Sequence, residues 1–215
     1  MDTLKYILDK FNLTYPSEAV RLPIEIPNFG RVQMAGLFNE LGFRVGVEIG
    51  VRGGDYSLVL CETIPGLRLY GVDPYTPHAE YKDIQRKDSF DKYEQEAKRK
   101  LAPYGENYQF MRLYSMDAVK HFKDNSLDFV YIDGDHSFQS VTNDIYEWSK
   151  KVKVGGIISG DDYFKHKGPS NISVYQAVNG ITDAEGIKPW FVLGSKAIVP
   201  GEIRDHGRSW MWVKK

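Results

Sequence analysis

The feature that most constrains the fold is an apolar run that breaks into a glycine-rich turn, at residues 45–56. Valine or isoleucine occupies alternate positions of the run, and Glu48 is its one acid. The turn contains Gly50, Gly53 and Gly54, and a helical pattern of apolar residues begins directly after it. A strand, a glycine turn and a helix in this order open a doubly wound nucleotide-binding fold. The sequence therefore predicts an α/β protein built on a Rossmann-like, mostly parallel sheet.

The acid beside the turn bears on which nucleotide is bound. The pyrophosphate of a dinucleotide would lie at the N-terminus of the following helix, where unpaired N–H groups favour anions, and Glu48 would repel it. The spacing also departs from G-x-G-x-x-G, since Arg52 is a bulky cation. A ligand with a cationic, amine-bearing tail suits Glu48 better. A second predicted strand ends in Asp73, which can accept hydrogen bonds from ribose hydroxyls. A cationic tail and a ribose together indicate S-adenosylmethionine.

The two motifs resemble those of the class I S-adenosylmethionine-dependent methyltransferases. Residues 48–54 are similar to the first motif of that family and residues 71–74 to the second, although Arg52 stands where many members have glycine. The resemblance implies a seven-stranded, doubly wound sheet with a late antiparallel strand. It also implies a set of residues that bind S-adenosylmethionine: Glu48, Gly50, Gly53, Gly54 and Asp73. For the glycines alone, a structural turn in another α/β protein is the alternative interpretation.

Contacts to the adenine are expected after the third predicted strand, residues 108–113. In the resembling family this loop places an apolar residue against the face of the adenine and a polar residue at its amino edge. Ser115 and Met116 occupy the matching positions in this chain. Asp117 either joins them or caps the following helix, its carboxylate accepting free N–H groups.

Three aspartates follow two later predicted strands. Asp133 comes directly after the fourth strand, and Asp161 and Asp162 come after the fifth. Ligands of doubly wound sheets bind outside the carboxyl ends of the strands, so these three carboxylates are expected at one rim. They repel one another unless they are protonated or neutralised, and a divalent cation such as Mg²⁺ is the usual resolution. The sequence therefore predicts a metal site that holds a substrate hydroxyl and lowers its pKa.

A histidine three positions after the first of these aspartates, His136, is a candidate acceptor for the hydroxyl proton near neutral pH. The arrangement resembles the metal-dependent O-methyltransferases, a branch that includes catechol and macrolide-sugar methyltransferases. Histidine rather than lysine here is closer to the sugar-modifying members. The resemblance implies catalytic roles for Asp133 and His136, and a contact of Asp133 with the cofactor. The alternatives are that Asp135 and Asp162 cap local turns and that His136 is a hydrogen-bonded loop histidine.

Composition limits the remaining possibilities. With 215 residues and no repeats, one domain is the simplest arrangement, with residues 1–44 as an N-terminal cap and residues 45–215 as the core. The N-terminal segment is expected either to cover the cofactor or to meet a second subunit of a homo-oligomer. A formal net charge of −1 provides no field to attract nucleic acid or an anionic membrane. A single cysteine, Cys61, and the lack of a long apolar run favour a cytoplasmic protein.

The function predicted from the sequence is transfer of a methyl group from S-adenosylmethionine to a small-molecule hydroxyl, with a divalent cation such as Mg²⁺. The acceptor would be a sugar or another natural product, and residues 77–87 are expected to be either a wall of its site or a plain surface loop. One alternative is an NAD-dependent oxidoreductase, against which Glu48 argues. Another is a nucleotide- or metal-binding protein without catalytic activity.

Overall fold

The predicted sheet forms the centre of the protein in the computed structural model, which describes residues 2–14, 22–76, 87–165 and 172–215. It contains eight strands in the spatial order β1-β7-β8-β6-β5-β2-β3-β4. The strands are β1 Ile24–Ile26, β2 Val45–Ile49, β3 Arg68–Val72, β4 Tyr108–Met111, β5 Leu127–Ile132, β6 Val152–Gly160, β7 Phe191–Leu193 and β8 Trp210–Val213. Among these, only β8 runs antiparallel to its neighbours, β6 and β7. The predicted Rossmann-like sheet with a late antiparallel strand is therefore confirmed.

The additional strand is β1, which lies in the N-terminal segment before α2. It pairs with β7 in parallel, with Ile24 opposite Phe191 and Ile26 opposite Leu193. Part of the N-terminal segment that was predicted to be a cap thus belongs to the edge of the sheet. The sheet is one strand wider than the resemblance implied.

The helices lie on both faces of the sheet. They are α1 Thr3–Lys10, α2 Arg31–Glu40, α3 Asp55–Thr63, α4 Lys87–Leu101, α5 Ser115–Ala118, α6 Phe138–Lys151 and α7 Val174–Ala184, with short 3₁₀ segments at Ala102–Asn107 and Val119–His121. Within the described ranges, no helix combines the length and the apolar character needed to cross a membrane. The loop considered as a substrate wall, residues 77–87, lies outside the described residues up to position 86.

Two hydrophobic cores follow from the alternation of side chains along the strands. In β5, Phe129 and Tyr131 point to the core covered by α1 to α4, whereas Val130 and Ile132 point to the core covered by α5, α6 and α7. Every residue of β5 is buried, as expected for a central strand of a sheet with both faces covered. Cys61 belongs to the first core, where it packs as a small hydrophobic residue.

The strand ends that carry the candidate site are joined by backbone hydrogen bonds. The N–H of Gly50 donates to the carbonyl of Val72 at 2.9 Å, and the N–H of Asp133 donates to the carbonyl of Ile49 at 2.8 Å. Gly50 has a φ of 89°, and a Cβ at this position would overlap the backbone carbonyl of Asp133. Glycine is therefore required where β2 ends, because only glycine adopts this conformation without strain and lets β5 approach so closely.

Gly50→Ala should lower the free energy of unfolding by about 3 kcal/mol or more, because it adds both backbone strain and an overlap with the neighbouring strand. Gly36→Ala is a matched control, since a Cβ at Gly36 in α2 meets nothing within 4 Å. That variant should be stabilised by about 0.5–1 kcal/mol, the usual preference for alanine within a helix. Urea denaturation of both variants measures the difference, and equal stabilities would contradict the role given to Gly50.

Candidate active site

A cavity of about 560 Å³ opens at the carboxyl edge of the parallel strands. Its walls come from the segments that follow β2, β3, β4, β5 and β6. Most of the residues predicted from the sequence line it: Gly50, Asp73, Ser115, Met116, Asp133, His136, Asp161 and Asp162. Three other predicted residues, Glu48, Gly53 and Gly54, do not belong to the lining. The structure therefore brings together the cofactor motifs and the acidic cluster in one space.

Asp73 stands at the cavity wall and organises the glycine turn. Its Oδ2 accepts the backbone N–H of Val51 at 3.1 Å and that of Arg52 at 2.9 Å. Its Oδ1 accepts the N–H of Tyr75 at 2.8 Å. Burial raises the pKa of the Asp73 carboxyl, although these three hydrogen bonds act in the opposite direction. The carboxylate thus shapes the turn at the place where a ribose is expected.

Two glycines of the turn, Gly53 and Gly54, leave room for helix α4 and do not line the cavity. Gly54 has a φ of 77°, and a Cβ there would lie 3.1 Å from Cα of Ala97. A Cβ at Gly53 would approach Oε2 of Glu96 to 3.3 Å. The structure gives these residues a packing role, and their contact with a cofactor stays a prediction.

Glu48 is buried behind the turn, with only 2% of its surface exposed. Successive side chains of a strand point to opposite faces, so Glu48 points away from the side that Val47 and Ile49 face. Its carboxyl accepts a hydrogen bond from Ser57, whose hydroxyl lies 2.9 Å from that of Tyr108. Burial raises the pKa of Glu48 to about 8, despite the opposing effect of the Ser57 hydrogen bond. Direct contact of Glu48 with a cofactor amine stays a prediction.

A buried polar group supports the predicted adenine loop. Ser115 and Met116 begin α5, and the hydroxyl of Ser115 donates to Oδ1 of Asp144. The indole N–H of Trp148 donates to the same hydroxyl at 2.8 Å. Asp144 also lines the cavity, and it was not among the residues predicted from the sequence.

The acidic cluster at the other side of the cavity is arranged around His136. Nε2 of His136 lies 3.4 Å from Oδ1 of Asp133 and 3.3 Å from Oδ2 of Asp162. Burial acts to lower the pKa of His136, but the hydrogen bond to Asp133 and the nearby carboxylates outweigh it, so the pKa is raised. Asp162 adopts a φ of 60°, a left-handed conformation that aspartate tolerates better than most residues.

Asp161, the remaining aspartate of the predicted metal site, faces the guanidinium of Arg31, a residue of the N-terminal segment. Nη1 of Arg31, at the start of α2, lies 3.4 Å from Oδ2 of Asp161 and 3.9 Å from Oδ2 of Asp133. Asp161 also accepts a hydrogen bond from Ser209 at 3.3 Å. Burial and the charge of Asp133 raise the pKa of Asp161 to about 7, and Arg31 opposes this.

Arg31 is the main charged residue of this cluster that the sequence analysis missed. Its guanidinium lies over the ring of Tyr56, 5.5 Å from the centroid, and its backbone N–H donates to Asp205 at 2.6 Å. The sequence indicates the presence of such a residue only through electrostatics, because three neighbouring carboxylates require a positive charge nearby. Nothing in the spacing of the sequence indicates which basic residue supplies it.

Replacement of Glu48 should change how stability depends on pH. A folded-state pKa of about 8, against an ordinary value of 4.5, means that the folded protein keeps a proton that the unfolded chain has lost. The stabilisation from this proton is complete below about pH 4.5 and is lost as the pH rises through 8. Glu48→Gln has no such loss, so its free energy of unfolding relative to the original protein should rise by up to about 1.4 kcal/mol per pH unit over this range.

Urea denaturation between pH 5 and pH 9, without ligand, tests this expectation. Glu62→Gln is the control, because Glu62 is an exposed glutamate on α3 and its side chain is solvated in both states. A difference between Glu48→Gln and the original protein that did not change with pH would show that the Glu48 carboxyl keeps an ordinary pKa in the folded state.

Comparison with known proteins agrees with this geometry. The chain superposes on the O-methyltransferase from Bacillus cereus in complex with SAH with a TM-score of 0.58 and 18% identity, covering 100% of this chain and 91% of that one. The O-methyltransferase TomG from Streptomyces achromogenes, involved in tomaymycin synthesis and in complex with SAM, gives a TM-score of 0.56 and 17% identity, covering 100% and 91%. At these identities the structural similarity shows the fold.

A relative is also found by sequence, an uncharacterized protein of Acanthamoeba polyphaga mimivirus. It is 33% identical over 122 residues, which are 54% of this chain and 50% of the viral protein. The chain therefore matches about half the length of this curated relative. The family model described as "Methyltransferase domain" matches residues 47–163, which is more than half of the chain. The matched range runs from the glycine-turn strand to the residue after the acidic pair, and the chain belongs to this methyltransferase family.

Proposed function

We propose that this protein transfers the methyl group of S-adenosylmethionine to a hydroxyl of a small molecule, with the help of a divalent cation. The observation that carries the proposal is the single cavity that Asp73 and the cluster of Asp133, His136 and Asp162 share. A methyl donor bound at Asp73 would present its sulfonium to an acceptor at the cluster. Methyl transfer is an in-line displacement, so holding the two reactants side by side supplies much of the rate.

Binding of S-adenosylmethionine is supported by the fold and by the glycine turn. Two methyltransferases with the same fold are in complex with SAH and SAM. In this chain the N–H groups of Val51 and Arg52 already donate to Asp73, so they are not available to a pyrophosphate. This arrangement argues against the NAD-dependent oxidoreductase considered from the sequence. The match to the methyltransferase family model also argues against an oxidoreductase.

The cluster fits a divalent cation in its chemistry. One ligand atom each from Asp133, His136 and Asp162 lies within 4.8 Å of the others, and carboxylate oxygens are the donors that Mg²⁺ prefers. We assign Asp133 and Asp162 as the residues that hold the cation, since Oδ2 of Asp161 lies against Arg31. A cation there would supply positive charge that lowers the pKa of an acceptor hydroxyl.

In this proposal His136 takes the proton of the acceptor. Its Nε2 lies between Asp133 and Asp162, and both carboxylates stabilise the protonated ring. Arg31 balances the charge of Asp161 and keeps that side chain in place. The acceptor would be a sugar or another polar natural product, a class that the net charge of −1 allows and that needs no basic surface.

Calorimetric titration with S-adenosylmethionine, once with Mg²⁺ and once with a chelator, tests the proposal. Micromolar binding is expected in both titrations, because the cofactor contacts at Asp73 do not involve the cation. Asp73→Ala should weaken binding by about 1–3 kcal/mol through the loss of charged hydrogen bonds. A folded protein that did not bind S-adenosylmethionine would contradict the proposed activity.

The assignment of the cation ligands is tested by a matched pair of variants at neighbouring positions. Asp162→Asn should weaken Mn²⁺ binding, followed by electron paramagnetic resonance, at least about tenfold through the loss of one charged ligand. Asp161→Asn should have a smaller effect, because Oδ2 of this carboxylate lies 3.4 Å from Arg31. Equal effects would restore the ligand set predicted from the sequence, and the reverse order would place Asp161 rather than Asp162 on the cation.

A further inference from the structure

The buried carboxylate of Asp144 is not used by the proposed chemistry. Asp144 lies on α6 and is 4% exposed, yet it lines the cavity. Its carboxyl contacts Ser115, in the loop where the adenine is expected. A buried carboxylate without a cationic partner is unfavourable unless it accepts hydrogen bonds.

The hydrogen bonds around Asp144 have a fixed direction. The indole N–H of Trp148 can only donate, so the hydroxyl of Ser115 accepts it. The one proton of that hydroxyl is then directed to Oδ1 of Asp144. Trp148 is fully buried, and its ring packs against Phe122 with the centroids 5.2 Å apart, so the whole group is held in place.

The second oxygen of Asp144 is the one left for a ligand. In the part of the chain that the structure describes, Oδ1 accepts from Ser115 and no residue donates a hydrogen bond to Oδ2. Burial is the main cause that raises the pKa of Asp144, to about 7, and the hydrogen bond from Ser115 acts in the opposite direction. A donor group from a bound molecule would provide the missing hydrogen bond.

From this geometry we infer that Asp144 recognises the exocyclic amino group of the adenine, with Ser115 and Trp148 as positioning residues. The inference rests on the proposed function, since it requires an adenosyl cofactor. It changes the role predicted for Ser115. The hydroxyl of Ser115 orients Asp144, and the carboxylate of Asp144 accepts the amino N–H. A purine with oxygen in place of the amino group offers an acceptor to this carboxylate and should bind poorly.

The experiment compares two ligands by calorimetry, S-adenosylhomocysteine and S-inosylhomocysteine, which differ in that one group. The original protein should bind the adenosyl compound on the order of tenfold or more tightly, the usual effect of a hydrogen bond to a charged group. Asp144→Asn keeps an oxygen for Ser115 but turns an amide N–H towards the ligand. This variant should lose the preference or reverse it in favour of the inosyl compound.

Asp183→Asn is the matched control, because Asp183 is an exposed aspartate on α7 that is not part of the cavity lining. It should leave the ratio of the two affinities unchanged. Equal binding of both ligands by the original protein would overturn the inference even if Asp144→Asn failed to fold. A preference that survived in a folded Asp144→Asn variant would overturn it as well. Binding of neither ligand by the original protein would overturn the proposed function together with the inference.

Discussion

The candidate site depends on the register of the parallel strands at their carboxyl ends. Three backbone hydrogen bonds connect the ends in series: Gly50 to Val72, Asp133 to Ile49, and Asp161 to Ile132, at 2.8–3.0 Å. The aspartates at positions 73, 133, 161 and 162 are each the first or second residue after a strand. Because the strands lie in register, residues far apart in sequence come to one edge of the sheet at nearly the same height. The glycine at the end of β2 is what permits this close alignment.

A second constraint is the balance of charge at this edge. Three carboxylates, Asp133, Asp161 and Asp162, stand close together, and two cationic or titratable groups are set between them. Arg31 lies nearest Asp161, and His136 lies between Asp133 and Asp162. Arg31 therefore supplies a permanent positive charge to Asp161 and, at 3.9 Å, to Asp133, whereas the charge that His136 supplies depends on pH. Arginine suits the first role because it keeps its proton at all relevant pH values.

The sequence predicted those parts of the molecule that follow from local pattern. Alternating and fully apolar runs of residues predicted the central strands, and the polar residues directly after these runs predicted the edge of the site. Glu48 shows a limit of this reasoning, since the same alternation that identified β2 also turns its side chain away from the side of Val47 and Ile49. The three-residue strand β1 was too short to give a pattern. Arg31 and Asp144 could not be predicted because their roles depend on tertiary contacts with Asp161 and Ser115.

The antiparallel strand β8 explains how distant residues support the acidic pair. Because β8 runs opposite to β6, its first residue, Trp210, lies beside Gly160 at the carboxyl end of β6. The residues that precede β8 therefore lie at the carboxyl edge of β6, next to the acidic pair. Ser209 donates to Asp161, and the indole N–H of Trp210 donates to the Asp161 carbonyl at 3.1 Å.

The same segment also fixes the second aspartate and the N-terminal cation. A Cβ at Gly207 would overlap Oδ1 of Asp162, so the absence of a side chain there leaves room for the carboxylate. Two residues earlier, Asp205 accepts the backbone N–H of Arg31 at 2.6 Å and thereby anchors the start of α2. Because β8 is antiparallel, the short segment that precedes it contacts both aspartates of the acidic pair and the backbone of Arg31. A parallel strand in the same position would begin at the opposite edge of the sheet and could not do so.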